Sequence, residues 1–147
     1  MNIAFFGHAD FTETPSVRDA VFALLDKIAD GREPFFLLGE HGGFDRFAYR
    51  ICDQYRKEHP GVQVGCVIPY AWQGDRASEY GRFDQIIYPP IERAPLRYAI
   101  TYRNRWMVEK ADAVIGYVNC RLGGAYQALL LAKRKKKALY NLGAIEL

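Results

Sequence analysis

The first half of the chain decides the fold, and it opens with NIAFFG at residues 2–7. A short apolar run ended by glycine is typical of a buried strand. Two further runs, FFLLG at 35–39 and VQVGCVIP at 62–69, have the same form. Because a stretch with helical spacing lies in each gap, the order is β-α-β-α-β, which predicts parallel strands with right-handed crossovers.

The two helical stretches carry apolar residues at helical spacing along 17–28 and again along 44–55. Ser16 is one candidate for the N-cap of the first helix, and Thr14 followed by Pro15 is an equal one. The apolar faces predict that both helices pack on the sheet.

The second half of the chain continues the alternation of strand and helix. Strands are predicted at 85–88, 113–118 and 138–142, and helices at 96–110 and from the Gly-Gly pair at 123–124 to about 135. Residues 70–82 have no clear period and are predicted as a long loop.

These elements predict one Rossmann-like domain over residues 1–147. Its fold class is α/β, a doubly wound, mainly parallel sheet of five or six strands with helices on both faces. Half of the residues are hydrophobic and 25% are charged, which is a globular composition. No apolar run approaches the roughly 18 residues that span a bilayer, and no signal peptide is visible. A soluble cytoplasmic protein that binds no membrane is therefore expected.

The numbers of cysteines and of charged residues argue against several other classes of protein. Three cysteines without short paired spacing argue against a disulfide scaffold and a zinc ribbon. The net charge is +3, but five cations form one run at 133–137, and without them 15 basic residues face 17 acidic ones. Cations at a helix C-terminus oppose the helix dipole, which explains the run. Nucleic acid is therefore not expected as a partner.

Glycine-containing loops follow three of the predicted strands, at 7–10, 39–43 and 119–124. Ligands of such sheets bind beyond the carboxyl ends of the strands. Two of the loops lead into helix N-termini, whose backbone N–H groups suit a phosphate or carboxylate. Tight turns are the alternative explanation for the glycines. The backbone amides at Gly42, Gly43, Gly123 and Gly124 are predicted to bind phosphate. Gly7 and His8 are predicted to line the floor and side of the site.

Side chains add to this predicted site. Arg103 and Asn104 lie on the inward face of the helix over 96–110, at the end nearest the loops. An arginine there would grip a phosphate bidentately, although pairing with an acid such as Glu92 is the alternative. Asp45 would bind a ribose hydroxyl or only favour its helix N-terminus. Tyr126 or Tyr70 would stack on a base or belong to the core.

The sequence resembles the SLOG superfamily, which links DprA-type and Lonely Guy proteins, and within it the YpsA-like branch. The resemblance rests on YRNRWMV at 102–108, ADAVI at 111–115, Gly-Gly at 123–124, FGH at 6–8 and GGFD at 42–45. It also includes Pro69-Tyr70 followed by Gln73. The resemblance implies a Rossmann-like fold with a rim site for nucleotides or nucleotide-derived ligands.

Enzymatic activity is left open by one departure from the family pattern. Hydrolase members use an arginine, which Arg103 matches, and a glutamate after the Gly-Gly pair. Here AYQAL at 125–129 follows the pair, with no acid. A carboxylate would stabilise the oxocarbenium-like state of N-glycosidic cleavage, and Gln127 carries no charge. No catalytic residue is assigned.

The expected function is therefore binding or sensing of a small nucleotide-like ligand without turnover. One alternative is an N-glycosidase whose acid is displaced to Glu40, Asp10 or Asp45. The other is a protein that binds single-stranded nucleic acid. No metal and no cofactor are expected, since His8 and His41 lack the partners of a metal site. The resemblance also implies a homodimer.

Overall fold

The computed structural model describes residues 1–40, 42–69, 80–91 and 94–147. One sheet contains six strands: β1 (Asn2–Gly7), β2 (Phe35–Leu38), β3 (Gln63–Val67), β4 (Gln85–Ile87), β5 (Ala113–Tyr117) and β6 (Ala138–Asn141). Every neighbouring pair is parallel. The predicted α/β fold is confirmed, with six strands that all run parallel. Most of the predicted loop over 70–82 lies outside the described residues.

Four α-helices have their bounds within the described residues: α1 (Pro15–Ala29), α2 (Gly43–Glu58), α3 (Ala99–Lys110) and α4 (Gly124–Arg134). A 3₁₀ turn at Leu96–Tyr98 precedes α3, so the helix predicted from residue 96 begins more tightly wound. Thr14 caps α1, because its hydroxyl accepts a hydrogen bond from the Val17 N–H at 3.3 Å. None of the helices in the described part of the chain is both long and apolar enough to cross a membrane.

Two cores, one on each face of the sheet, hold the layers together. On the first face, α1 and α2 bury Leu25, Phe47 and Ile51 against alternate residues of the strands. On the second face, α3 and α4 bury Met107 and Leu129 against the other residues of the same strands. Each such side chain contributes about 1.5–3 kcal/mol when it is fully buried. The helices are therefore fixed on the sheet, and so are the loops at its ends.

The strand order is β4-β3-β2-β1-β5-β6. From β1 the chain moves outward through β2 and β3 to β4, and it then returns to add β5 on the other side of β1. The order therefore switches between β1 and β5, and ligands of open α/β sheets bind in the crevice at such a point. The loops after β1, β2 and β5 meet at this edge.

Candidate functional site: a cleft at the carboxyl ends of β1 and β5

A cleft of about 300 Å³ lies at the switch point. The ends of β1 and β2, the first half of α3 and the start of α4 line it. The predicted site residues that line this cleft are Gly7, His8, Asp45, Arg103, Asn104, Gly123 and Gly124. Gly42, Gly43 and Tyr126 are not among the lining residues. The cleft is also lined by Gly39, Ile100, Met107 and Ala125, which were not among the predicted site residues.

Arg103 and Asn104 point inward from α3, as predicted. Arg103 is 4% exposed and Asn104 is 8% exposed. The Arg103 Nε and Nη2 groups donate hydrogen bonds to Asn104 Oδ1 at 3.2 and 2.9 Å. The apolar neighbours Ile100 and Met107 lie one turn away on the same helix and also line the cleft. The guanidinium is thus held in a fixed orientation at the wall of the cleft.

Gly39, at the end of β2, allows two charged groups to approach the backbone closely. A Cβ at this position would lie 3.0 Å from Arg103 Nη1 and 3.1 Å from Asp45 Oδ2. Any larger residue would push into one of these groups. The cleft therefore holds a cation and a carboxylate side by side, and Glu92, the predicted alternative partner of Arg103, lies outside the described residues.

The cysteine beneath this charged pair is chemically inert. Cys66 is fully buried on β3. Burial, with a smaller contribution from the negative charges of Glu40 and Asp45, raises the pKa of its thiol to about 12. Cys66 therefore stays protonated at neutral pH and supplies no nucleophile.

Only one of the three acids proposed to replace the missing glutamate lines the cleft. Glu40 accepts a hydrogen bond from the Tyr80 hydroxyl at 2.9 Å and does not line the cleft. Asp10 lines a separate hollow beside the loop after β5. Asp45 alone lines the cleft, where it lies close to Arg103.

The start of α4 opens into the cleft. Gly123, the N-cap, has φ +94°, and a Cβ there would meet no atom within 4 Å. The first intrahelical bond runs from the Gln127 N–H to the Gly123 carbonyl at 3.1 Å. Within the described part of the chain, no group accepts a hydrogen bond from the amides of Gly124, Ala125 and Tyr126. These donors and the positive end of the helix dipole are available to an anion.

The start of α2 is closed, although it has the same Gly-Gly sequence. The Gly43 N–H donates to the Ala9 carbonyl at 2.7 Å, and the Phe44 N–H donates to the His8 carbonyl at 3.3 Å. A Cβ at Gly42 would lie 2.4 Å from Ala9 Cα. The loop after β1 covers this helix start, so the geometry does not fit our expectation that Gly42 and Gly43 bind a phosphate.

Tyr126 packs with the core of the second face and is partly buried there. This is the alternative that the sequence left open for it. Tyr70, the other residue predicted to stack on a base, lies outside the described residues.

His8 has a structural role that the sequence did not reveal. Its Nε2 atom accepts a hydrogen bond from the Asn119 N–H at 3.0 Å and lies 3.8 Å from the Cys120 sulfur. A backbone N–H only donates, so the ring proton lies on Nδ1. The bond joins the loops after β1 and β5, whose parallel pairing ends at Gly7 and Tyr117. Within the described residues no three His, Cys, Asp or Glu side chains cluster as metal ligands.

A second groove, of about 410 Å³, adjoins the cleft and runs between α3 and α4. It shares Asn104, Gly123 and Gly124 with the cleft, so the two are continuous around the start of α4. Arg105 and Arg134 line it from opposite helices. The sequence does not single out Arg105, because only the packing of α3 beside α4 brings these two arginines into one groove.

Comparison with known proteins gives likeness in structure alone. No protein-family model matches the sequence, and no curated protein is significantly similar to it. The structure is similar to that of DNA processing protein A (DprA) from Streptococcus pneumoniae, with TM-score 0.67 and 18% identity. The similarity covers 99% of this chain and 51% of that one.

The structure is also similar to DprA from Helicobacter pylori, with TM-score 0.63 and 17% identity over 96% of this chain and 64% of that one. This chain thus spans about half to two thirds of the DprA chains. The Helicobacter protein has a described mode of binding single-stranded DNA. Our expectation that nucleic acid is not a partner is therefore wrong for a chain of this fold. What the two comparisons establish for this chain is its fold, the Rossmann-like α/β fold of the DprA proteins.

Proposed function

We propose that this chain binds single-stranded DNA, with one phosphate at the start of α4 and the adjoining nucleotide in the cleft. The observation that carries the proposal is the open start of α4 at the wall of the cleft. Three backbone N–H groups without a described acceptor lie there, at the positive end of an eleven-residue helix. A phosphate in this position would satisfy them.

Charge and size support the same proposal. The Arg103 guanidinium is fixed at the wall by Asn104 and adds positive charge near the helix start. A volume of about 300 Å³ is at the lower end of the range for ligand pockets and suits one nucleotide unit. The adjoining groove leaves the cleft open on one side, so a strand would continue beyond it.

A free nucleotide is the second candidate, because Asp45 lines the cleft. Its carboxylate would accept hydrogen bonds from the ribose hydroxyls of a free ribonucleotide. A deoxyribose within a DNA strand has no hydroxyl to offer. This candidate keeps the function first expected from the sequence.

We also assign the chain to the SLOG superfamily. The motifs at 102–108 and 123–124 and the likeness in fold to DprA support this assignment. The YpsA-like branch stays a prediction from the sequence motifs.

The test compares Ala125→Asp with Ala125→Asn. Ala125 lies in the first turn of α4 and lines the cleft. The two side chains have nearly the same shape, but only aspartate adds a negative charge at the phosphate position. Fluorescence anisotropy with a labelled oligothymidylate of about ten nucleotides would measure affinity. We expect Ala125→Asp to lower it at least about tenfold relative to Ala125→Asn, a loss of about 1.4 kcal/mol.

Equal affinities of the two variants would contradict the proposal. Competition separates the candidates: unlabelled DNA displaces the probe if DNA is the ligand. Displacement by ribonucleoside monophosphates at lower concentration than by DNA would favour the free nucleotide.

A further inference from the structure

We propose that the groove between α3 and α4 is a second subsite, which takes the next two phosphates and a base of a single strand leaving the cleft. The inference rests on the proposed function and extends it. It assigns a role to Arg105, Arg134 and Tyr102.

The groove has the charge that a DNA backbone requires. Arg105 and Arg134 line it from opposite sides, and no acidic residue lines it in the described part of the chain. Neither arginine forms an ion pair with any described residue. Thr101 and Gln127 add neutral hydrogen-bonding groups to the walls.

Several cations on the first face of the sheet are paired with acids. On the first face, Arg18 and Arg50 contact Glu13, and Arg56 contacts Asp53 and Asp84. The two arginines of the groove differ from these three arginines in having no acidic partner among the described residues. Such charge attracts a phosphate backbone.

The basic run at 133–137 also contains cations with partners in the protein and cations without them. Lys133 donates to the Leu147 carbonyl, Lys135 lies 3.6 Å from Glu109, and Lys137 donates to the Glu109 carbonyl at 3.1 Å. Arg134 is the member of the run that lines the groove. Of the five cations, one lines the groove, three have partners in the protein, and Lys136 forms no ion pair with a described residue.

An aromatic ring lies beside the groove. The Arg105 guanidinium carbon lies 5.3 Å from the centre of the Tyr102 ring, and Tyr102 is 39% exposed. Sites for single strands combine a cationic track with aromatic rings on which bases stack, helped by arginine. Tyr102 and Arg105 form such a pair.

The geometry makes the groove a continuation of the cleft. Both α3 and α4 begin at the edge of the sheet where the cleft lies, and the groove runs away from it. From Gly124 to Arg134 the helix extends about 15 Å, which is more than one nucleotide spacing. A strand bound at the start of α4 would therefore pass Arg105 and reach Arg134.

The test uses Arg105→Gln/Arg134→Gln and a charge-matched control, Lys27→Gln/Lys57→Gln, on exposed positions of α1 and α2. Affinity for the labelled oligothymidylate is measured at several salt concentrations from about 50 to about 200 mM. Because each single-strand phosphate contact contributes about 0.7 to the salt slope, we expect the slope to fall by about 1.4 in the groove variant. Affinity at low salt should fall at least about tenfold. The control should keep the wild-type slope.

A second variant and a short probe separate the groove from the cleft. Tyr102→Leu should lower oligonucleotide affinity about fivefold or more through lost stacking. Binding of thymidine monophosphate, detected by chemical-shift changes at Gly124, should be the same in wild type and in the groove variant.

The second subsite is ruled out, while the proposed function stands, if wild type binds DNA, Ala125→Asp weakens that binding, and Arg105→Gln/Arg134→Gln behaves like its control. If wild type does not bind the oligonucleotide, the proposed function fails and the second subsite fails with it.

Discussion

Two helices of this protein begin with the same dipeptide, Gly42-Gly43 in α2 and Gly123-Gly124 in α4, and their surroundings differ. At α2, the carbonyls of Ala9 and His8 accept the first amides of the helix. At α4, no described group accepts them. The loop after β1 crosses the first start, whereas the second faces the cleft at the switch point. The same local sequence therefore serves packing in one place and an open site in the other.

The N-cap glycines give the largest expected effect. Gly42 has φ +89° and Gly123 has φ +94°, so alanine would be strained at both by about 1–3 kcal/mol. At Gly42 the new Cβ would also lie 2.4 Å from Ala9 Cα, whereas at Gly123 it would meet nothing. Gly42→Ala should therefore lose about 3 kcal/mol or more of unfolding free energy, and clearly more than Gly123→Ala in urea denaturation. Equal losses would mean that the α2 start is not closed.

The first helical glycines test the same contrast without the strain of positive φ. A Cβ at Gly43 would lie 2.6 Å from the Phe11 carbonyl oxygen, whereas one at Gly124 would lie 3.7 Å from Asn104 Nδ2. Gly43→Ala should cost about 1–3 kcal/mol. Gly124→Ala should be neutral or stabilise by about 0.4–1 kcal/mol, since alanine restricts the unfolded chain. The melting temperatures of the two variants check this. Equal changes in melting temperature would contradict the difference between the two helix starts.

Unfolding at high pH tests whether water is excluded from Cys66. The negative charge of Asp45, in the first turn of α2, also raises the pKa of this thiol. Folding raises the pKa of Cys66 from 9.0 to about 12, mainly through burial. Its contribution to stability is complete below pH 9 and is lost as pH rises toward 12, because the unfolded thiol ionises first. The loss is at most about 1.4 kcal/mol per pH unit. Cys66→Ala should flatten the pH profile of unfolding free energy, and Cys120→Ala, at an exposed site, should not.

The smallest effect concerns charge at the open start. A carboxylate in the first turn of a helix stabilises it by about 0.3–1 kcal/mol. Ala125→Asp should therefore raise the melting temperature slightly above that of Ala125→Asn, while it weakens DNA binding. A melting temperature below that of the asparagine variant would indicate that the amides at this end already have an acceptor.

Much of the fold could be predicted, because it follows from local spacing. Apolar runs ended by glycine predicted β1 and β2, and helical periodicity predicted the buried face of α2 from Phe44 to Tyr55. The inward direction of Arg103 followed from its position on α3.

The rest depends on contacts between distant segments. Nothing near Gly42-Gly43 in the sequence reveals that the Ala9 carbonyl accepts a hydrogen bond from the Gly43 N–H. His8 and Asn119 meet only because β1 pairs with β5. The charge count could not reveal a cationic groove because it ignores where each cation lies. Lys135 has an acidic neighbour, whereas Arg134 lines a groove without one in the described residues.

The central claim is that the start of α4 receives the phosphate of a DNA strand and the start of α2 does not. A titration of ¹⁵N-labelled protein with oligothymidylate, followed by two-dimensional NMR, tests it at the amides themselves. The account predicts large, saturable shifts of the Gly124, Ala125 and Tyr126 amides and little change at Gly43 and Phe44. Equal shifts at both helix starts, or shifts confined to α2, would contradict it.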